Sequence, residues 1–236
     1  MVDNLAIFFK YDYNNSKKYL EVDDLIRKMA LSLGAKELIV PSVIDEMSLE
    51  RLGYFKYSKN ILLKIKETDG LFLTPAACLN VYSLFSDKMV KEEITTVRNQ
   101  VFRNEEDDAH LLNFNVREII AIGQKDFVST TISRFVELAR NFCNELKIVC
   151  EIVPATDSFV MNRENEILKY LQASSGNKKE IVANINGKKI VIGSINYHGT
   201  HFSKAFGYVD DMKTVSACIG FGIERIITVL EMLENG

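Results

Sequence analysis

The residues best equipped for chemistry in this sequence are four cysteines, a close pair of histidines and three short charged clusters. Cys78, Cys143, Cys150 and Cys218 are widely spaced and form no CxxC pair. In a chain of 236 residues that pattern argues against a disulfide framework and for reduced thiols, each either a small buried hydrophobe or a metal ligand. His198 and His201 stand three apart beside a glycine, a spacing that suits a metal as well as a polar loop. The charged clusters are Phe102-Arg103-Asn104-Glu105, Val116-Arg117-Glu118 and the stretch from Cys218 through Gly220 and Gly222 to Glu224-Arg225. Taken singly, Arg103 with Glu105 reads equally as a cross-strand surface pair, and Glu224 with Arg225 as a solvated helix start.

The elements that must position these groups follow from periodicity. Leu20, Leu25, Ile26, Met29 and Leu33 recur at helical spacing and predict a first helix over Tyr19 to Leu33, closed by Gly34. Leu38 to Pro41 reads as a short strand and Met47 to Leu52 as a helix stopped at Gly53. Ile61 to Ile65 and Gly70 to Leu73 read as short strands or their approaches, and a helix is expected from Pro75 through Leu84. Val97 to Asn104 and Phe114 to Ile122 form a hairpin around the acidic run Glu105 to Asp108, which is read as a solvated loop apart from Glu105. A long amphipathic helix spans Ser129 to Leu146.

Further strands are predicted at Ile148 to Val153, Ile181 to Ile185 and Lys189 to Asn196, the last two joined by a type I′ turn at Asn186-Gly187. Ser216 to Phe221 then runs through two glycines into a helix that buries Ile223, Ile226, Ile227, Leu230 and Leu233. Helices gathered against a mainly antiparallel sheet make an α+β fold. With 47% hydrophobic and 26% charged residues and no shift in composition, residues 1–236 read as a single domain. The net charge of −3 gives no general attraction for a phosphate backbone. Met1-Val2-Asp3-Asn4 opens no basic leader, and no apolar run is long enough to span a bilayer, so a cytoplasmic location without membrane contact is expected.

Taken together and in order, the three clusters resemble motifs 2 and 3 of class II aminoacyl-tRNA synthetases. The closer resemblance, over nearly the whole chain, is to the amino acid:[carrier protein] ligases, truncated homologues of the zinc-containing seryl-tRNA synthetases of methanogens. Val40-Pro41-Ser42-Val43-Ile44 with Leu49 to Tyr54 looks like that family's motif 1. Leu73-Thr74-Pro75-Ala76-Ala77-Cys78 with Tyr82 resembles its amino-acid-binding turn, and Ala155 to Phe159, Lys178 to Glu180 and Asn196 to Phe202 match later landmarks.

The resemblance implies that Cys78, Glu118 and Cys218 hold zinc, with Cys143 and Cys150 in the core. Two thiolates and a carboxylate carry −3 around a dication, and a site with three protein ligands leaves a fourth position for a substrate's free α-amino group. The resemblance also places Arg103 on the α-phosphate of ATP, Glu105 on the adenine amine and Arg225 on the γ-phosphate, with magnesium bridging the phosphates. Glu180 would touch substrate or magnesium, and Asn196 substrate. Ile119 stands where these ligases place an adenine-stacking aromatic, and His110 where they tend to place an arginine.

The function implied is activation of a small amino acid as its adenylate and transfer to the phosphopantetheine thiol of a carrier protein. Motif 1 implies a homodimer. No long coiled-coil arm or added basic domain is evident, so tRNA is not the expected acceptor. The alternatives are a non-catalytic module that keeps fold and zinc, favoured by Ile119 and a short motif 2 loop, and tRNA charging with a separate RNA-binding subunit.

Overall fold

In a computed structural model of the chain, the residues described are 9–105, 111–155, 177–210 and 213–235. The alternating and β-branched runs form nine strands: β1 (Lys36–Leu38), β2 (Val43–Asp45), β3 (Leu71–Leu73), β4 (Glu92–Phe102), β5 (Asn113–Gly123), β6 (Cys150–Pro154), β7 (Lys178–Ile185), β8 (Lys188–Gly199) and β9 (Val215–Gly222). Seven of them build one sheet in the order β1-β4-β5-β9-β8-β7-β6, while β2 and β3 pair separately. Only β1 runs parallel to its neighbour β4; the other described pairs are antiparallel. Asn186 and Gly187 join β7 to β8 with φ of +50° and +77°, the left-handed pair that a type I′ turn demands.

The helices are α1 (Tyr13–Ser32), α2 (Glu46–Arg51), α3 (Tyr54–Tyr57), α4 (Leu79–Ser83), α5 (Lys125–Glu145), α6 (His201–Ala205) and α7 (Ile223–Glu234). On one face of the large sheet α1, α5 and α7 cover a core that includes Ile26, Phe135, Phe142, Ile119, Ile181, Phe221 and Ile226. On the other face the small sheet, α2, α4 and α6 cover a second core around Ile44, Leu49, Phe72, Tyr82, Val97, Ile120 and Phe202. The expected α+β class with a mainly antiparallel sheet is the observed one. No helix among the described residues is long and apolar enough to cross a membrane.

Several boundaries differ from the pattern reading, each for a physical reason. The helix expected from Pro75 begins at Leu79, because the carbonyls of Thr74 and Pro75 accept from Phe102 N and Arg103 Nε and so cannot turn inward to a helix. Helix α5 starts at Lys125, four residues before the predicted start, with Phe127 and Val128 already in its first turn and Val128 buried in the core. Leu20 of α1 is 63% exposed; Val22, Asp23, Ile26 and Ala30 are the buried residues, the aspartate drawn in by Arg117. Leu233 is 41% exposed in the last turn of α7, where the core has ended.

Candidate metal centre

Register places the first pair of candidate ligands. Glu118 on β5 faces Val97 on β4 and Gly220 on β9; Gly220 faces Ser194 on β8, and Ser194 faces Glu180 on β7. The next row on the same face of the sheet is Ile120, Cys218, Asn196 and Lys178. Glu118 and Cys218 are therefore diagonal neighbours on adjacent strands, within side-chain reach. Gly220 lets the Glu118 side chain lie across β9, since a Cβ there would stand 3.3 Å from Glu118 Cγ.

The third candidate comes from above the sheet. The turn from Thr74 to Ala77 is clamped by Thr74 Oγ1 donating to Ala76 O at 2.9 Å and by Arg103 Nε donating to Pro75 O at 2.7 Å. It delivers Cys78 to the N-terminal end of α4. The donor atoms of Cys78, Glu118 and Cys218 lie within 4.8 Å of one another, and all three residues are buried. No other such group of histidine, cysteine and acidic residues occurs among the described residues.

The electrostatics of this triangle suit a cation. A hydrogen bond with Cys218, burial and the charge of Glu118 push the Cys78 thiol well above its ordinary range. Cys78 donates to Cys218 and so opposes the rise there, yet burial and Glu118 still carry the Cys218 thiol upward. Burial raises Glu118 despite hydrogen bonds from both thiols and the charge of Arg103. Glu118 Oε2 has no hydrogen-bond partner among the described residues although it is buried. An orphaned carboxylate oxygen beside two crowded sulfurs is costly unless a cation takes up the charge. The donor set therefore fits a thiophilic dication better than magnesium or calcium, which select oxygen.

A ring cluster closes one side. Tyr82 stacks on Phe202 with centroids 3.6 Å apart, and His198 stands edge-on to both at 5.8 and 4.9 Å. His198 Nδ1 lies 3.1 Å from Tyr82 Oη and 3.3 Å from Ser216 Oγ, and its Nε2 lies 3.7 Å from Cys218 Sγ. Burial, with repulsion from His201 as the smaller cause, pushes its pKa down to about 3, so the ring is neutral at neutral pH. His201 packs edge-on against Phe202 instead. The signal that separates the histidines is parity: Ser194, Asn196 and His198 alternate along β8, whereas His201 opens α6.

The remaining candidates fall around this floor. Arg103 continues the β4 edge, its N–H donating to Leu112 O, with its guanidinium 3.7 Å from Glu105 and 5.3 Å from the centroid of Phe114. Asn196 Nδ2 reaches Ser194 Oγ at 3.1 Å and Cys218 Sγ at 3.7 Å. Glu180 pairs with Lys178 at 3.4 Å and lies about 14 Å from Glu118, three strand spacings away. Arg225, in the first turn of α7, donates to Val191 O at 3.2 Å.

Two readings are corrected. Ile119 faces the α5 side of the sheet, fully buried in the core opposite Glu118, so it cannot stack on a ligand held over Arg103. The aromatic on the correct face is Phe114, four residues before Glu118 on β5, a parity that was legible in the sequence. Glu224 is no solvated residue: it is buried, and its carboxylate accepts from Asn115 N at 2.8 Å, Asn115 Nδ2 at 2.8 Å and the Tyr11 hydroxyl. Arg117 also points away from the site, into Asp23 and Glu37. His110, the acidic residues after Glu105 and the landmark from Thr156 to Phe159 lie outside the described residues.

A family model for the tRNA synthetase class II core domain (G, H, P, S and T) matches residues 57–234. Among curated proteins, "Amino acid--[acyl-carrier-protein] ligase 2" of Bradyrhizobium diazoefficiens is 25% identical over 225 residues, covering 80% of this chain and 67% of that protein. "Amino acid--[acyl-carrier-protein] ligase 1" of the same organism is 24% identical over 232 residues, covering 84% and 71%. Among solved structures, M. kandleri SerRS in complex with A. aeolicus tRNASec superposes with a TM-score of 0.77 at 17% identity, covering 92% of this chain and 52% of the solved one. The cytoplasmic serine-tRNA ligase of Naegleria fowleri in complex with AMP gives 0.75 at 9% identity, covering 91% and 48%. The chain thus spans about half the length of these solved chains, and the likeness to them is one of fold.

Proposed function

Because this chain belongs to the class II tRNA synthetase core-domain family, we propose that it is an adenylate-forming ligase that activates a small amino acid with ATP and passes it to the thiol of a phosphopantetheinylated carrier protein. The observation that carries this reading is the buried triangle of Cys78, Glu118 and Cys218 beside Arg103, at one end of an open sheet floor. The names of the curated relatives support the carrier protein as acceptor.

Cys78, Glu118 and Cys218 would hold zinc, which when bound supplies a Lewis-acidic fourth position for an α-amino group. Tyr82, Phe202 and His198 pack as a ring cluster beside Cys218, and so bulky a neighbour favours a small substrate side chain. Phe114, whose ring lies 5.3 Å from the Arg103 guanidinium on the same face of the sheet, is the aromatic placed to contact adenine. Arg103 neutralises charge on the α-phosphoryl group as a substrate carboxylate oxygen bonds to phosphorus and pyrophosphate leaves. Glu105 accepts from the adenine amine, and Arg225, in the first turn of α7, takes the γ-phosphate together with the helix N-terminus. Magnesium would lie among the phosphates, with Glu180 and Asn196 on the substrate side of the floor. The carrier thiol then attacks the acyl carbon, and AMP departs.

Placing Phe114 at the adenine position removes the argument for a non-catalytic module that rested on Ile119. Exchange of pyrophosphate into ATP, driven by a panel of amino acids, tests the proposal. Zinc-loaded protein is expected to support exchange with small amino acids, while Cys78→Ala loses bound zinc and at least about 100-fold in exchange rate, the scale on which one transition-state contact acts. Full exchange by a zinc-free variant would refute the mechanism. Charging assays on tRNA beside carrier proteins decide the acceptor.

A further inference from the structure

The two sulfurs of the candidate metal centre are treated unequally. Cys218 Sγ has Asn196 Nδ2 and His198 Nε2 each at 3.7 Å, whereas Cys78 has no nitrogen donor in reach among the described residues. The far nitrogen of His198 lies between two hydroxyls, Tyr82 Oη at 3.1 Å and Ser216 Oγ at 3.3 Å. The imidazole plane is fixed by the edge-on packing against Tyr82 and Phe202. Nε2 therefore has one direction available, toward Cys218. It does not belong to the set of donor atoms within 4.8 Å of one another, so it stands behind the sulfur rather than beside it.

We propose that His198 is a positioning residue of the metal centre, donating Nε2–H to the Cys218 thiolate while Nδ1 accepts from the Tyr82 hydroxyl, with Ser216 Oγ 3.3 Å away. This rests on the reading of Cys78, Glu118 and Cys218 as ligands. Its consequence follows from charge. Two thiolates and a carboxylate place −3 around a dication, enough donation to weaken its hold on a fourth ligand. A hydrogen bond to one sulfur withdraws electron density and fixes the direction of its lone pair, as groups behind metal ligands do elsewhere. His198 thereby keeps the open position receptive to a neutral amine. Asn196, two residues earlier on β8 and donating to the same sulfur, acts in the same sense.

The test uses the full chain, stripped of metal and titrated with Co²⁺ for spectroscopy and with Zn²⁺ for affinity by chelator competition. His198→Phe keeps a ring against Tyr82 and Phe202 but has no donor. His198→Gln carries an amide N–H that reaches the place of Nε2. Loss of the donor is expected to move the sulfur-to-cobalt charge-transfer band to longer wavelength and to weaken Zn²⁺ binding by roughly 10-fold or more. His198→Gln is expected to match the wild type in both, and Tyr82→Phe to shift the band less in the same direction.

An unmoved band in His198→Phe overturns the proposal. So does a change in the cobalt d–d pattern that signals a lost ligand, since His198 would then bind the ion directly. A His198→Gln variant shifted to longer wavelength also overturns it, and that measurement stands even if His198→Phe does not fold. Failure of the wild type to bind either ion at all would instead remove the three-ligand reading, and so the two failures are distinct.

Discussion

Phe114 and Ile119 show how much one residue's parity decides. Both lie on β5, but Phe114 shares the face of Glu118 and packs 5.3 Å from the Arg103 guanidinium, while Ile119 is sealed under the helices. Base–aromatic stacking is worth about 1–3 kcal/mol, so Phe114→Ala should raise the KM for ATP by roughly 5- to 150-fold with a smaller change in kcat. Ile119→Ala should leave that KM alone and lower the melting temperature through a core cavity. Pyrophosphate exchange at varied ATP measures both; an unchanged KM in Phe114→Ala would place adenine elsewhere. The types of the ligand residues were readable because sulfur and carboxylate chemistry is set by the side chain. The face each one occupies was readable only by counting along β5 from a known neighbour, whereas Ile119 was selected by its place after Arg117-Glu118 in the family resemblance, which puts it on the opposite face from Glu118.

Among the elements, α1, β1 and β5 are joined by charges rather than by apolar packing alone. Arg117, 3% exposed, donates to Asp23 of α1 and, at 3.1 Å, to Glu37 of β1, which also accepts from Arg27 at 2.6 Å. Burial alone would raise the pKa of Glu37, but the hydrogen bonds from Arg27 and Arg117 outweigh it and the net direction is downward. A carboxylate with a depressed folded pKa adds stability that is present above its unfolded value, about 4.3, and is lost as pH falls through the folded value. Melting temperature should therefore fall more steeply below about pH 4.3 in the wild type than in Glu37→Gln. Parallel curves would show that Glu37 does not couple to folding. Strand and helix identities were largely legible from periodicities of two and near four. Their ends were less so: the carbonyl clamped at Pro75 leaves no mark in the apolar pattern, whereas Phe127 and Val128 already carry the signal that α5 begins before Ser129.

At the scale of the molecule, an apolar margin runs beside the small sheet. Ile39 is 99% exposed, Met47 63% and Val43 37%, the last within and the other two immediately beside the segments that resemble motif 1. We expect this margin to meet its copy across a twofold axis, giving about twice the 26.8 kDa chain mass in sedimentation equilibrium. Ile39→Glu should then sediment as the monomer, and a monomeric wild type would remove the interface. By itself the sequence determined the fold class, the hairpin at Asn186-Gly187 and the kinds of atom available to grip a cation, since these depend on local periodicity and side-chain chemistry. Only the tertiary structure decided that Cys78, Glu118 and Cys218 meet, that His198 stands behind one sulfur, and that Arg117 and Glu224 turn into the core. Strand register and the turn laid over it set those meetings, and both arise from contacts between segments far apart along the chain.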